Sequence, residues 1–152
     1  NYQGAALMFL PRPILASKVR FSYLQGATAA TGNFVVGIFD ASGRQIVASG
    51  STAFAGAANS LQNQSITITQ TRFEAGLYYV MLGTTIATAS STILFPGVYA
   101  AAPTLPGAGM GVGKYSTSGG VTVPTTILGF TDSNVTLPAQ QIPVPIVQLA
   151  TA

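Results

Sequence analysis

The sequence contains no cysteine, no histidine and no tryptophan, and its 152 residues include only six Lys or Arg and three Asp or Glu. Each absence removes a class of chemistry. Without histidine or cysteine, serine–histidine and cysteine–histidine nucleophilic mechanisms are excluded within the chain. Zinc and iron–sulfur sites lose their usual ligands, and disulfides cannot report the redox compartment. Charged residues make up 6% of the chain, against about 25% in an ordinary soluble domain. A free monomer stays dispersed through mixed surface charge and small apolar patches. A chain this neutral is therefore expected to cover much of its surface with partners, and assembly is the first functional expectation.

The charges that are present are scattered. The cations are Arg12, Lys18, Arg20, Arg44, Arg72 and Lys114, the acids Asp40, Glu74 and Asp132, for a net charge of +3. Nucleic-acid binding needs a dense cationic stripe that releases counterions. Only Lys18 and Arg20 stand close together, so no nucleic-acid partner is expected. These two alternate with Val19, Phe21 and Tyr23, the pattern of two solvent-facing positions on a strand. No run of about eighteen apolar residues is present to span a bilayer, and no basic, apolar, small-residue leader opens the chain. Asn1, in place of methionine, fits a processed product or the ordered part of something longer. The length suits a single domain over residues 1–152 with a sizeable core of its own.

What the sequence has in abundance is short β-branched and aromatic segments separated by Gly, Pro, Ser, Asn and Asp clusters, which predicts an all-β fold with little helix. Lys18 to Leu24 alternates, Phe34 to Phe39 is a continuous apolar run, and Gln45 to Ser49 follows the turn Asp40-Ala41-Ser42-Gly43. That spacing predicts a hairpin with a type I turn closed by a bulge, Asp accepting a backbone N–H and Gly taking positive φ. A second strand pair is expected from Ser65 to Thr71, where Ile66 and Ile68 point in and the threonines out, and from Leu77 to Leu82 after Glu74-Ala75-Gly76. Further strands are expected at Ser91 to Phe95, Val121 to Ile127 and Ile146 to Ala150. Residues 1–16 are expected to form an N-terminal extended arm. Residues 96–120, rich in Gly and Pro but carrying Val98, Tyr99, Leu105, Met110, Val112 and Tyr115, predict a long ordered loop. Residues 138–152, with Pro138, Pro143 and Pro145, predict an extended C-terminal segment and a last strand.

The chemistry left to such a chain is narrow. A glycosidase needs only two carboxyl groups, yet Asp40 sits where a turn wants an Asx residue, Glu74 stands beside Arg72, and Asp132 belongs to the turn-like Thr131-Asp132-Ser133-Asn134. No catalytic residue, cofactor or metal is therefore expected: the chain is read as no enzyme, and no two acids lie close enough in sequence for a calcium loop. Gly107 to Lys114 is glycine-rich, but Gly113-Lys114 is followed by Tyr115 and lacks the spacing of a phosphate-binding loop. Asn63-Gln64-Ser65 and Asn134-Val135-Thr136 are sequons for a secretory pathway. Phe21, Phe39 and one of Tyr78 or Tyr79 are assigned to the core. Tyr99 and Tyr115, both in the loop-rich region, are the candidates for contact with a ligand or a neighbouring subunit; packing in the core or within the loop is the alternative.

In order, Val35-Val36-Gly37-Ile38-Phe39-Asp40-Ala41-Ser42-Gly43, Ile46-Val47-Ala48-Ser49-Gly50-Ser51, and Ile66-Thr67-Ile68 leading to Ala75-Gly76-Leu77-Tyr78-Tyr79-Val80-Met81-Leu82 resemble a β-sandwich module of bacteriophage virion proteins. In such modules a strand ending in a "-G-I-Y-D-x-x-G-" hairpin precedes a small-residue strand and then "-L-P-A-G-x-Y-Y-L-A-L-". The resemblance covers Val19 to Leu82 well and the rest loosely, and the chain departs from it at Phe73-Glu74, where the family has Leu-Pro. It implies a single antiparallel β-sandwich of jelly-roll type and a structural role in a virion, as tail, fibre, collar or capsid decoration. The implied partners are further copies of the chain, in a symmetric homo-oligomer with a trimer favoured, other virion proteins, and a host-surface glycan if the protein contributes to attachment. Two other readings stay open: a carbohydrate-binding module or adhesin, in which Tyr99 and Tyr115 stack on sugars, and a subunit of a bacterial surface layer or filament.

Overall fold

The computed structural model describes residues 2–86, 93–94, 113–116, 122–129, 131–132 and 147–150. Among them there is no helix. The strands are β1 (Tyr2–Leu10), β2 (Ile14–Gln25), β3 (Gly32–Asp40), β4 (Gln45–Ala48), β5 (Thr52–Ala53), β6 (Leu61–Phe73), β7 (Gly76–Ile86), β8 (Ile93–Leu94), β9 (Gly113–Ser116), β10 (Thr131–Asp132) and β11 (Val147–Ala150). They form two antiparallel sheets. The first runs β10-β9-β1-β7-β3-β4, with β5 also on β3; the second runs β11-β2-β6, with β8 also on β2.

Alternation builds the second sheet. Val19, Phe21 and Tyr23 of β2 are buried while Arg20 and Leu24 are exposed, and Ile66 and Ile68 of β6 are buried between exposed Ser65, Thr67 and Thr69. The inward residues meet Phe34, Val36 and Ile38 of β3, Val47 of β4 and Val80 and Leu82 of β7 in one shared apolar cluster. The Phe34 ring lies edge-on to Phe21 and to Tyr23, each at 5.0 Å between centroids, and so ties one sheet to the other. Burying a side chain such as Phe34 contributes about 1.5–3 kcal/mol.

The first sheet is buried on both faces, which explains the unbroken apolar run of β3. Phe34, Val36 and Ile38 enter the shared cluster, while Val35 and Phe39 join Ala5, Met81 and Ile127 in a second cluster on the opposite face. Residues 122–129 cross that outer face as a strap. The Thr122 carbonyl accepts from Gln3 Nε2 at 2.8 Å, Val123 packs on the second cluster, Gln45 N–H donates to the Thr125 carbonyl, and Ile127 N–H donates to the Gly43 carbonyl. The β3–β4 hairpin has the expected turn. Gly43 N–H donates to the Asp40 carbonyl at 2.9 Å with φ of 82°, and the register shifts between Ile38 and Phe39.

The structure corrects several expectations. β6 and β7 are consecutive but do not pair: β6 lies against β2, whereas β7 lies between β1 and β3. The connection at Glu74 and Ala75 crosses between sheets, with the Phe73 and Tyr78 rings edge-on at 5.6 Å beside it. The expected N-terminal arm is largely β1, an interior strand between β7 and β9. Its Gly4, Ala5 and Ala6 give a weak β signal but fit a strand crowded on both sides. Of the strand expected from Val121 to Ile127, residues 122–127 belong to the strap and make a single bridge from Thr126 to Arg44, and Val121 lies outside the described residues. Within 96–120, residues 113–116 form β9, and the remainder lies outside the described residues. Of 138–152, Val147–Ala150 forms β11 on β2.

Candidate interaction surfaces

The carboxylates of Asp40 and Glu74 are engaged in local structure. Asp40 Oδ1 accepts from Ser42 N at 2.9 Å, Ser42 Oγ at 2.6 Å and Arg44 N at 3.0 Å. The Ser42 hydroxyl, with the Arg44 and Ser42 amides, holds this carboxyl below its ordinary value, the opposite direction from the one a general acid requires. Glu74 Oε1 accepts from Arg72 Nε at 2.7 Å in an exposed ion pair, and the Glu74 carbonyl accepts from Tyr78 Oη at 2.9 Å. Because Tyr78 is the register partner of Asp40, the two acids stand toward the same end of the molecule, each already occupied. Asp132 lies on β10 in register with Lys114. Among the described residues no group of three or more His, Cys, Asp or Glu stands together as a metal site, and no helix is long and apolar enough to cross a membrane.

Of the two contact candidates, Tyr115 lies on β9, its backbone in register with Gly4 of β1 on one side and Thr131 of β10 on the other. Tyr99 lies outside the described residues. Among the aromatics assigned to the core, Phe21 and Phe39 are buried there, and Tyr78 and Tyr79 are each half-buried, packed against opposite faces of the first sheet.

Two surfaces emerge from the register. On the outer face of the first sheet the successive rows are Gln3, Gly83 and Val35; Ala5, Met81 and Gly37; Leu7, Tyr79 and Phe39; and Phe9 with Leu77. None of these carries a charge, though the row of Ala5 continues in register to Lys114 of β9 and Asp132 of β10. Val123 and Ile127 of the strap cover Gly37, Phe39 and their neighbours, and the last row is left open, Phe9 being 65% and Leu77 39% exposed. Sequence reasoning passed over this patch. Its signal was Leu7-Met8-Phe9-Leu10, four apolar residues in a row: Met8 and Leu10 pack on the shared cluster, so Leu7 and Phe9 must point the other way.

The second surface is the outer face of β11-β2-β6. Arg20 is exposed and Lys18 half-buried there, consistent with the solvent-facing positions expected of them. Across the strands stand Ser65 and Thr67 of β6 and Gln148 of β11, and Ser22 Oγ is 2.6 Å from its partner Asn63 Oδ1. Asn63, the first residue of a sequon, is exposed on this same face.

Comparison with protein-family models, with curated proteins and with solved structures finds no match to the chain.

Proposed function

We propose that this chain is a non-enzymatic structural protein of a bacteriophage virion, a single jelly-roll-type β-sandwich that assembles into a symmetric homo-oligomer through an apolar, low-charge interface and contributes to contact with the host. The observation that carries this reading is the open Phe9–Leu77 row at the apolar end of the face that β1, β7 and β3 share. Exposed apolar side chains clustered beside an already buried face are the usual mark of a protein contact. The scarcity of charge along the whole chain and the resemblance over Val19 to Leu82 support the same reading, as does the apolar cluster that the two sheets share. The trimer comes from the resemblance.

The test is size-exclusion chromatography with light scattering on the wild type and on the F9S/L77S variant, with circular dichroism to verify that the variant keeps its strands. The expected result is an oligomer that the double substitution shifts to monomer. A wild type that stays monomeric at every concentration reached would overturn the assembly reading. An oligomer indifferent to both substitutions would overturn the role given to this row.

A further inference from the structure

We propose that the outer face of β11-β2-β6 binds an acidic polysaccharide, a sugar chain bearing carboxylate groups, with Lys18 and Arg20 holding the carboxylates and the surrounding hydroxyl and amide side chains holding the sugar hydroxyls. The proposal deepens the host-contact element of the reading above but needs no oligomer.

Lys18 and Arg20 are two residues apart on β2, about 7 Å along a strand, and project from one face. Neither side chain has an ion pair or hydrogen bond among the described residues. Their cross-strand neighbours are Thr67 and Ser65 on β6 and Ala150 and Gln148 on β11. A sheet shaped only for folding gains by setting an acid opposite a cation and loses by placing like charges side by side; this face does the reverse, in a chain with very few charges to place. Guarding a free strand edge with lysine does not explain the pair, because β2 is interior, flanked by β11 and β6. What remains is a cationic centre awaiting an anion.

The rim selects the kind of anion. Ser22, Asn63, Ser65, Thr67, Thr69 and Gln148 surround the two cations. Hydroxyl and amide groups both donate and accept, as sugar hydroxyls do, while a guanidinium meets a carboxylate through two parallel hydrogen bonds. Nucleic acid fits less well: two cations release few counterions, and among the described residues this face presents no aromatic ring on which a base could stack. Each contact is weak, so a symmetric assembly would multiply the affinity of one face.

The experiment measures binding of the full chain to immobilised polygalacturonate, to its methyl ester, which keeps the sugar backbone and masks the charge, and to a single-stranded oligodeoxynucleotide of equal charge. The K18Q/R20Q variant is compared with R12Q/R44Q, which removes the same net charge from exposed positions elsewhere. The expected result is retention on polygalacturonate alone that weakens with salt, falls at least about tenfold in K18Q/R20Q and holds within about twofold in R12Q/R44Q. Equal losses in both variants, equal binding to the methyl ester, tighter binding to the oligonucleotide, or no binding at low salt would each overturn the proposal. Light scattering separates the two readings: glycan binding lost in K18Q/R20Q with the oligomer intact concerns this face alone, and a wild type that is monomeric yet binds the glycan defeats only the assembly reading.

Discussion

Val123 stands over Gly37: a β-carbon added to this glycine would lie 2.5 Å from Val123 Cγ1 and 2.8 Å from the Phe39 ring. The strap can lie flat on the first sheet only because β3 lacks a side chain at that point. G37A is therefore expected to destabilise the protein by about 1–3 kcal/mol through overpacking. G50A, where nothing lies within 4 Å of the added carbon, should stay within about 0.5 kcal/mol of wild type. Urea denaturation measures both. V123A in the G37A background should recover part of the loss, since the two side chains would otherwise compete for one space; strict additivity would refute the contact.

The Asp40 turn predicts an acid-limb signature. Its folded carboxyl is held below the ordinary value of 3.8 by Ser42 and Arg44, so the stabilisation it contributes is present above that value and disappears as pH falls through the lower folded one. The gap in urea midpoint between wild type and D40A should be open at neutral pH and close in acid. D40N, which keeps the turn-capping oxygen but cannot ionise, should lie between them and lack this pH dependence. A gap that persists unchanged into strong acid would contradict the assignment.

Tyr23 predicts the alkaline limb. Its fully buried hydroxyl accepts from Ala55 N–H at 2.8 Å, with the Ala55 carbonyl at 2.8 Å and Gln64 Oε1 at 3.1 Å as alternative acceptors. Burial raises its pKa above 10.0, and the Ala55 hydrogen bond opposes that in part. An unfolded tyrosine loses its proton near 10 while the folded one retains it, so this stabilisation is complete below that pH and is lost as pH rises through the folded value. Y23F should cost about 1–3 kcal/mol at neutral pH, because the Ala55 N–H loses its acceptor, and should flatten the alkaline fall in urea midpoint. An alkaline limb identical in Y23F and wild type would assign that fall to another group.

Much of the fold was legible in local pattern. Alternation in Lys18 to Leu24 and Ser65 to Thr71 marked which side chains face inward, and Asp40-Ala41-Ser42-Gly43 specified its turn because the groups that close it lie within five residues of one another. Of the contact candidates less was legible. Tyr115 could be assigned no strand from sequence, since β9 depends on pairing with β1, more than a hundred residues earlier.

The sequence by itself determined that this chain lacks histidine and thiol chemistry, builds strands in place of helices and has little charge to place on its surface, because composition and period are properties of the chain alone. Tertiary structure decided the rest. It sent β6 and β7 to different sheets, made β1 an interior strand, laid residues 122–129 over Gly37, and gathered Lys18 and Arg20 among hydroxyls from β6 and an amide from β11. A strand's period records which of its faces is buried, but the neighbour it pairs with is chosen by packing between segments far apart in the chain.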